Sequence, residues 1–555
     1  MHFPTKDFPK TPQTRHLKRV VPFGGAVLLA LSLSVPSVAA AEAPLPASTP
    51  QAMDSHYPIR HVVEIMLENH TYDNLFSNYP GTNGIPLHVE LPNPNTNYTS
   101  PPVTPTMAGP NEGDSVDINH NRAAEIMMMD YRPQGPLSEG SGYYTGPLLP
   151  ANVPSPSQSD QPNWRMNYFT ADPQNSWASI TEFGQSWLPN EWALAQHFTL
   201  ADHNFQPAIG PTQPNRIYAI AASADKWISD SPPPKTLPIK TVFDQLSHHH
   251  LSWKIYQGDY NGPPPAQEGT GFVTHWNPAW YTPILQNKNM WANVQNTGQF
   301  ITAVDNNQLP NFSFVVPTWL YSEHPPTDIS LGDAWLGQVV TAIMNSPEWQ
   351  STAIFVTYDE GGGYWDHLPP PVVGQFGYGT RTPMVIISPW VHSKIFTPVT
   401  TNMSILSFMD RLWHIRPLNP LNARQNDLMA AFDFHQQPKA PIVLPLAPPY
   451  TLQIADPQEN LSATPAQPIT LQILAKTPGL TNATQLTGPL TLNVETPPGS
   501  GAVTMPNQIT LNGGQAQVSV TFPSPGYYRI IAHGPDGSMG WATMDVGVSA
   551  ATPPA

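Results

Sequence analysis

The sequence predicts an α/β fold with a mostly parallel central sheet, followed by a smaller all-β domain, and three observations carry that expectation. Short apolar, β-branched runs alternate with helix-patterned segments through residues 58–436, as parallel sheets covered on both faces require. A Pro-rich stretch at 437–452 interrupts the pattern, and beyond it, at 453–549, the apolar period changes to two. The chain has 555 residues, too many for one ordinary core, so one large and one smaller domain are expected.

At the N-terminus, Lys6, Lys10, Arg15, Lys18 and Arg19 precede an apolar stretch at 20–35, and small residues follow at 37–41. Residues 1–41 therefore read as a secretory signal peptide, and 42–57 as an Ala/Pro/Ser linker. The apolar stretch is short for a membrane span, and no later segment is long and apolar enough to cross a bilayer. The mature chain is expected to be periplasmic or secreted, without a transmembrane anchor.

The first strand is 61–67, HVVEIML, and it delivers Glu68 and Asn69 at its C-terminal end. Either these two ligate a metal or hold a phosphate oxygen, or they open a helix, as Asn commonly does. A Pro/Asn/Thr loop at 79–110 is long enough to be a wall or lid. His120 then stands at the entrance of a Met-rich helix at 123–129, in which Ile126, Met127 and Met129 are expected in the core. A helix and an extended segment fill 187–205. GPTQPNR at 210–216 leads into an Ala-rich helix at 217–224, placing Thr212 at a helix N-terminus, where free N–H groups favour an anion. Its hydroxyl either attacks phosphorus or caps the helix.

A helix at 241–250 and a strand at 251–257 follow. The triplet His248-His249-His250 reads as surface at a helix C-terminus. His275 lies in an aromatic-rich turn with Trp276, Trp280 and Tyr281, either lining a cleft or packing. The strand at 311–316 is followed by His324, and the helix at 333–345 carries Leu336, Val339, Val340 and Ile343 on one face. The strand at 353–358 then runs into TYDEGGGYWDHLPPP at 357–371. Here Asp359, Glu360, Asp366 and His367 fall within nine residues at a strand's C-terminal end, the edge where open α/β sheets bind ligands. Gly361-Gly362-Gly363 frees the backbone to turn these side chains towards one point, and hard divalent ions take such oxygen and imidazole ligands. A strand at 384–387 and a helix at 404–412 complete the large domain. In the last region Ile469, Leu471 and Ile473, then Leu490, Leu492 and Val494, then Val518, Val520 and Phe522 alternate, with turn signals at 512–514 and 535–537. That is the pattern of a sandwich of immunoglobulin-like size, with a role in stability, docking or attachment.

Composition narrows the function. Lys and Arg number 23 against 39 Asp and Glu, a formal charge of −16, so a basic nucleic-acid face is not expected. Only 11% of residues are charged and 69 are proline, and a chain with so few carboxylates loses little when they protonate, so acid tolerance is expected. There is no cysteine, hence no disulfide.

The segments ENHTYDNLF at 68–76, GPTQPNR at 210–216, TYDEGGGYWDHLPPP at 357–371 and RTPMVIISPW at 381–390 together resemble the bacterial phosphoesterase family of non-haemolytic phospholipases C and related acid phosphatases. Four motifs in one order make the resemblance specific. It implies an alkaline-phosphatase-like α/β sandwich with a divalent metal (zinc, calcium or magnesium) and a hydroxyl nucleophile. By that resemblance Thr212 is the nucleophile, Glu68, Asn69, Asp359 and Glu360 hold the metal, and His120, His324, Asp366 and His367 complete the pocket. Three positions depart from the family pattern: His70 replaces a basic residue, Trp276 is inserted into the His-Asn-Pro motif after His275, and Asn402 stands where a histidine is usual.

The implied reaction is phosphoester hydrolysis through a phospho-threonine, with His324 or His367 protonating the leaving alcohol and His120, His275 and Asp366 contacting substrate. Phospholipid headgroups suit a phospholipase C, phosphomonoesters an acid phosphatase. An inactive secreted binding protein on the same fold is the alternative from another class.

Overall fold

The computed structural model describes residues 57–547 except 87–88, 92–102, 110–115, 130–165, 167–168, 172–177, 263–271, 372 and 374–375. The expected signal peptide, most of the linker at 42–57 and parts of the 79–110 loop lie outside the described residues. Among the described residues no helix is long and apolar enough to cross a membrane.

The large domain is built on eight strands: β1 (His61–Leu67), β2 (Thr199–Ala201), β3 (Trp253–Gln257), β4 (Val294–Asn296), β5 (Phe312–Val316), β6 (Thr352–Tyr358), β7 (Met384–Ile387) and β8 (Lys394–Phe396). Their order across the sheet is β8-β2-β7-β6-β1-β5-β3-β4. The run β6-β1-β5-β3-β4 is parallel throughout, whereas β7 is antiparallel to both β6 and β2. The sheet is thus mostly parallel with an antiparallel insertion. In β1 every residue after His61 is buried, as expected of a strand covered on both faces.

The period of two sorts the helices into layers. Val62 and Glu64 pair with Phe312 and Phe314 on one side and with Ala353 and Phe355 on the other, so these side chains share a face. On that face Phe243 of the Val242–His248 helix lies 5.8 Å from Phe312, and Phe408 of the Met403–Trp413 helix lies 5.3 Å from Phe355. The Thr212–Ala221 helix belongs to the same layer. The opposite face carries Pro189–His197, Thr297–Asp305 and Ile329–Asn345, with Phe300 5.1 Å from Tyr256 and the Tyr358 hydroxyl donating to Glu191. The result is an α/β/α sandwich.

The boundaries of 61–67 and 384–387 match the sequence reading, and the helix at 329–345 starts four residues before 333 because Asp328 caps it, accepting from the Ser330 N–H. In the Met-rich helix, observed as Arg122–Met128, Ile126 and Met129 are buried but Met127 is half exposed. The inward positions belong instead to Arg122 and Glu125, because their polar ends find partners inside.

The C-terminal strands are β9 (Thr451–Ala455), β10 (Pro468–Lys476), β11 (Gly488–Glu495), β12 (Gln508–Leu511), β13 (Gln515–Thr521), β14 (Gly526–His533) and β15 (Met539–Val546). They run as one hydrogen-bonded path, β12-β11-β14-β15-β9-β10-β13, rather than as two separate sheets. The two end strands β12 and β13 are joined by a tight turn at Asn512 and Gln515, so the path curls back on itself into a barrel-like unit. The Pro-rich stretch is not a free linker. Leu446 exchanges hydrogen bonds with the Asn190 side chain, Gln338 donates to the Pro448 carbonyl, and the Trp349 indole donates to that of Lys439.

Candidate active site

Strand register brings the first groups together. Leu67 pairs with Tyr358 across the parallel β1–β6 ladder, so Glu68 and Asp359 leave neighbouring strands at the same level, both fully buried. The Asp359 N–H donates to the Leu67 carbonyl at 3.2 Å, and the Asn69 N–H donates to Asp359 Oδ1 at 3.3 Å. Asn69 takes a left-handed φ of 68°, which Asn tolerates better than most residues. Gly362, at φ +61°, lies so close that a Cβ there would meet the Asn69 carbonyl at 2.2 Å. The glycine run thus lets the β6 exit fold onto the β1 exit.

Thr212 is the first residue of its helix; Pro211 is the N-cap and makes no side-chain cap. The Thr212 hydroxyl donates to Glu68 Oε2 at 3.2 Å. One turn on, Arg216 reaches the same carboxylates: its guanidinium pairs with Glu68 Oε1 through Nη2, and Nε donates to Asp359 Oδ2 at 3.1 Å. Nη1 donates to the Trp276 carbonyl, and the group lies 5.6 Å from the Trp276 ring centroid. The residue inserted after His275 therefore supports Arg216. Sequence reasoning gave Arg216 no role beyond closing its motif; its spacing of four from Thr212 on one helix was the available signal.

Two buried groups stand out. Among the described residues neither polar atom of the Asn69 amide makes a hydrogen bond, nor does Glu360 Oε1, although Glu360 Oε2 accepts from Gly362 N–H at 2.5 Å. Burial holds the carboxyls of Glu68 and Glu360 well above the ordinary range, Arg216 opposing this at Glu68 and the Asp359 charge adding to it at Glu360. The guanidinium pairs with Glu68 and Asp359, and the oxygens of Asn69 and Glu360 add further hard-ligand atoms. Among the described residues, the acidic and histidine groups whose ligand atoms lie within 4.8 Å of one another are Asp117, His120 and His324, and Asp73, Asp366 and His367; Glu68, Asp359 and Glu360 are not gathered that tightly, Arg216 standing between Glu68 and Asp359.

His120 and His324 stand over this set. His120 Nε2 is 3.6 Å from Glu360 Oε1, and its Nδ1 faces the Ile118 carbonyl at 2.5 Å. His324 Nδ1 faces the Pro325 carbonyl at 2.6 Å. A carbonyl only accepts, so Nδ1 carries a proton in both rings. The two rings are 6.2 Å apart, with Asp117 beside them. Burial pulls His324 down to about 4, so near neutrality it is a base and not a ready acid. His275 sits near Asp230, a residue absent from the sequence reading; burial raises the Asp230 carboxyl, the His275 charge draws it down, and its Oδ1 accepts from the Gln213 N–H at 2.7 Å. Glu125, also missed, accepts from the Gly210 N–H at 2.7 Å and fixes the turn that presents Thr212.

The expected single gathering point divides in two. Asp366 and His367 join Asp73 and Arg381: Arg381 Nε donates to Asp366 at 3.0 Å, Nη2 to Asp73 Oδ1 at 2.8 Å, and His367 Nδ1 lies 2.6 Å from Asp73 Oδ2. None of these bonds reaches Thr212, Glu68, Asp359 or Glu360. After the glycines, Trp365 is pinned by its N–H to Ser179 and its indole to Met166, which turns the next two residues under Arg381. His70 and Asn402 also lie away from the carboxylates. His70 is fully buried, engaged through both ring nitrogens by Asn74 and Glu323 and stacked on Tyr364. Asn402 bridges Thr357 and the Tyr358 carbonyl.

Residues 59–416 match the Phosphoesterase family. The chain is 26% identical over 447 residues to phospholipase C B of Mycobacterium tuberculosis (strain CDC 1551 / Oshkosh), covering 68% of this chain and 78% of that protein. It is 26% identical over 363 residues to non-specific phospholipase C4 of Arabidopsis thaliana, covering 60% and 62%. Among solved structures, a protein in the alkaline phosphatase superfamily from Vibrio parahaemolyticus overlaps 65% of this chain and 85% of that one at 12% identity, with a TM-score of 0.31. With the family match spanning most of the chain, this protein belongs to the Phosphoesterase family, hydrolases acting on phosphoric ester bonds.

Proposed function

We propose that the protein is a secreted, divalent-metal-dependent phosphoesterase of phospholipase C type on an alkaline-phosphatase-like sandwich, with Thr212 as nucleophile. The observation that carries this reading is the Thr212 hydroxyl at a helix N-terminus, 3.2 Å from Glu68 at the β1 strand end. A cation bound by Glu68, Asn69, Asp359 and Glu360 would lower the hydroxyl pKa and offset charge on the phosphoryl group.

The chain's own groups divide the remaining work. Glu68 takes the hydroxyl hydrogen bond and orients the Thr212 oxygen for in-line attack. As Thr212 Oγ1 bonds to phosphorus its proton passes to Glu68; the bond from phosphorus to the leaving oxygen breaks, and that oxygen takes a proton from water and departs as the alcohol, Glu68 returning its proton to Thr212 when the phospho-threonine is cleaved. Of the helix's first-turn N–H groups, that of Gln213 is taken by Asp230 and Pro214 has none, which leaves the Thr212 N–H for a phosphoryl oxygen. His324, neutral with Nε2 available, then takes a proton from the water that cleaves the phospho-threonine, while His120 and His275 contact substrate. His367, held by Asp73 and Arg381, is a positioning group in this scheme and not a proton donor.

A second reading, an acid phosphatase acting on monoesters, is supported by the upward displacement of several buried carboxyls, which suits work at low pH. Initial rates on a chromogenic phosphodiester, a chromogenic monoester and phosphatidylcholine vesicles separate the two. Diester rates well above monoester rates support the first reading, and the reverse order replaces it with the second.

A further inference from the structure

The two histidines over the carboxylates come from loops that the C-terminal barrel grips. His324 lies in the segment between the 319–321 turn and the Ile329–Asn345 helix. Upstream, the Tyr321 hydroxyl is 2.9 Å from Thr451 Oγ1 of β9. Downstream, Asp328 accepts from Arg529 Nε of β14 at 2.8 Å and from Thr543 Oγ1 of β15 at 3.0 Å, and the Arg529 guanidinium lies 4.1 Å from the Trp187 ring centroid. Asp328 and Thr451 are buried. The segment that presents His120 is held separately. Val116 and Ile118 belong to a small second core with Trp365 and with Tyr527 of β14, which is only 5% exposed.

Between these grips lies a cavity of about 390 Å³ shared by both domains. The large domain contributes Asp117 and Trp319; the barrel contributes Glu459, Asn460, Tyr527 and Asp545. Asp117 Oδ1 is 3.8 Å from His120 Nδ1, and the Trp319 ring is 4.7 Å from that of His324. The cavity therefore opens beside the groups read as reacting with the phosphoester, and among the described residues its lining includes three carboxylates and no lysine or arginine.

We propose that the barrel is part of the catalytic unit: it sets the spacing of His120 and His324, and its surface forms the wall against which the alcohol part of the phosphoester lies. The inference rests on the phosphoesterase site proposed above. Tyr527 is a positioning residue in it, acting through Val116 and Ile118 on His120. The acidic lining makes the wall selective by charge: an anionic alcohol is repelled, an uncharged one is accepted.

The test uses the full chain. Tyr527→Ala is expected to keep a cooperative thermal transition and to lose kcat/KM on a chromogenic phosphodiester by about tenfold to a hundredfold, the scale of a displaced catalytic group, while Tyr527→Phe retains it. The double variant Glu459→Gln/Asp545→Asn is expected to reduce discrimination between two phosphodiesters that share one phosphoryl part and differ in a neutral or an anionic alcohol. It decides the matter if Tyr527→Ala does not fold. Unchanged kcat/KM in Tyr527→Ala, or an unchanged ratio in the double variant, overturns the inference. A wild type that hydrolyses no phosphoester overturns the functional reading instead. In that event the imidazole resonances of His120 and His324 still test the positioning: displaced by Tyr527→Leu under the proposal, unmoved if the barrel only docks.

Discussion

Arg216 Nε donates to Asp359 Oδ2 at 3.1 Å, with the same guanidinium paired to Glu68, so the chain places its own cation between the two strand ends that are read as a metal site. Removing that cation leaves two buried carboxylates facing each other. Arg216→Met is expected to destabilise the fold by about 3–5 kcal/mol, the cost of an uncompensated buried charge. Divalent metal in the buffer should recover part of the loss, and chemical denaturation with and without metal measures both effects.

Thr212→Val removes the hydroxyl and keeps the shape of the side chain. Turnover is expected to fall roughly 10³-fold or more, with the unfolding transition and metal content unchanged. Thr212→Ser should retain measurable activity. Kinetics and metal analysis on the same preparations check this, and full activity in the Val variant would exclude a phospho-threonine.

Chelation is expected to abolish activity and lower the melting temperature. A ligand at about a hundred times its dissociation constant stabilises by about 2.7 kcal/mol. Asn69→Gly should remove most of that metal-dependent stabilisation while leaving the apo melting temperature nearly unchanged, because among the described residues the Asn69 amide has no hydrogen-bond partner to lose and glycine accepts its left-handed φ of 68°. A calorimetric titration with zinc, calcium and magnesium gives the metal preference at the same time.

Stability should rise as pH falls towards mild acid. Burial pushes Glu64 up from 4.5 to about 8, and Asp410 from 3.8 to about 7. A carboxyl whose folded value lies above its unfolded one binds more protons in the native state. The stability penalty is therefore absent below the unfolded value, grows between the two, and is complete above the folded value. Glu64→Gln is expected to stabilise by at least about 1 kcal/mol at pH 9 and to make no difference at pH 4. Denaturation midpoints across that range check the sign.

The strands and their ends were legible because β1, β5, β6 and β7 are continuous apolar runs whose burial on both faces leaves a plain signature. Glu68, Asn69, Asp359 and Thr212 were legible for a related reason: each follows directly on such a run or begins a helix. The fate of Asp366 and His367 was not, since it depends on Trp365 finding Met166 and Ser179, almost two hundred residues earlier in the chain. Nor was the part played by Asp230 and Glu125 visible, because a lone charged residue inside a helix or loop carries no periodicity to say whether it faces in or out; Arg216 had only its spacing of four from Thr212. The Pro-rich stretch at 437–452 misled by composition: proline marks an extended backbone, and an extended backbone can lie along a helix as well as in water.

That strapped stretch bears on how the gene can be cut and recombined. The Ile329–Asn345 helix is buried along nearly its whole length, its Trp335 indole donating to the Pro478 carbonyl and its Gln338 to that of Pro448. A chain truncated before residue 450 would leave this greasy flank without its cover and should precipitate or recruit chaperones, however intact the proposed site. Exchange of modules between relatives would have to carry both halves together, so the pair is expected to descend as one hereditary piece.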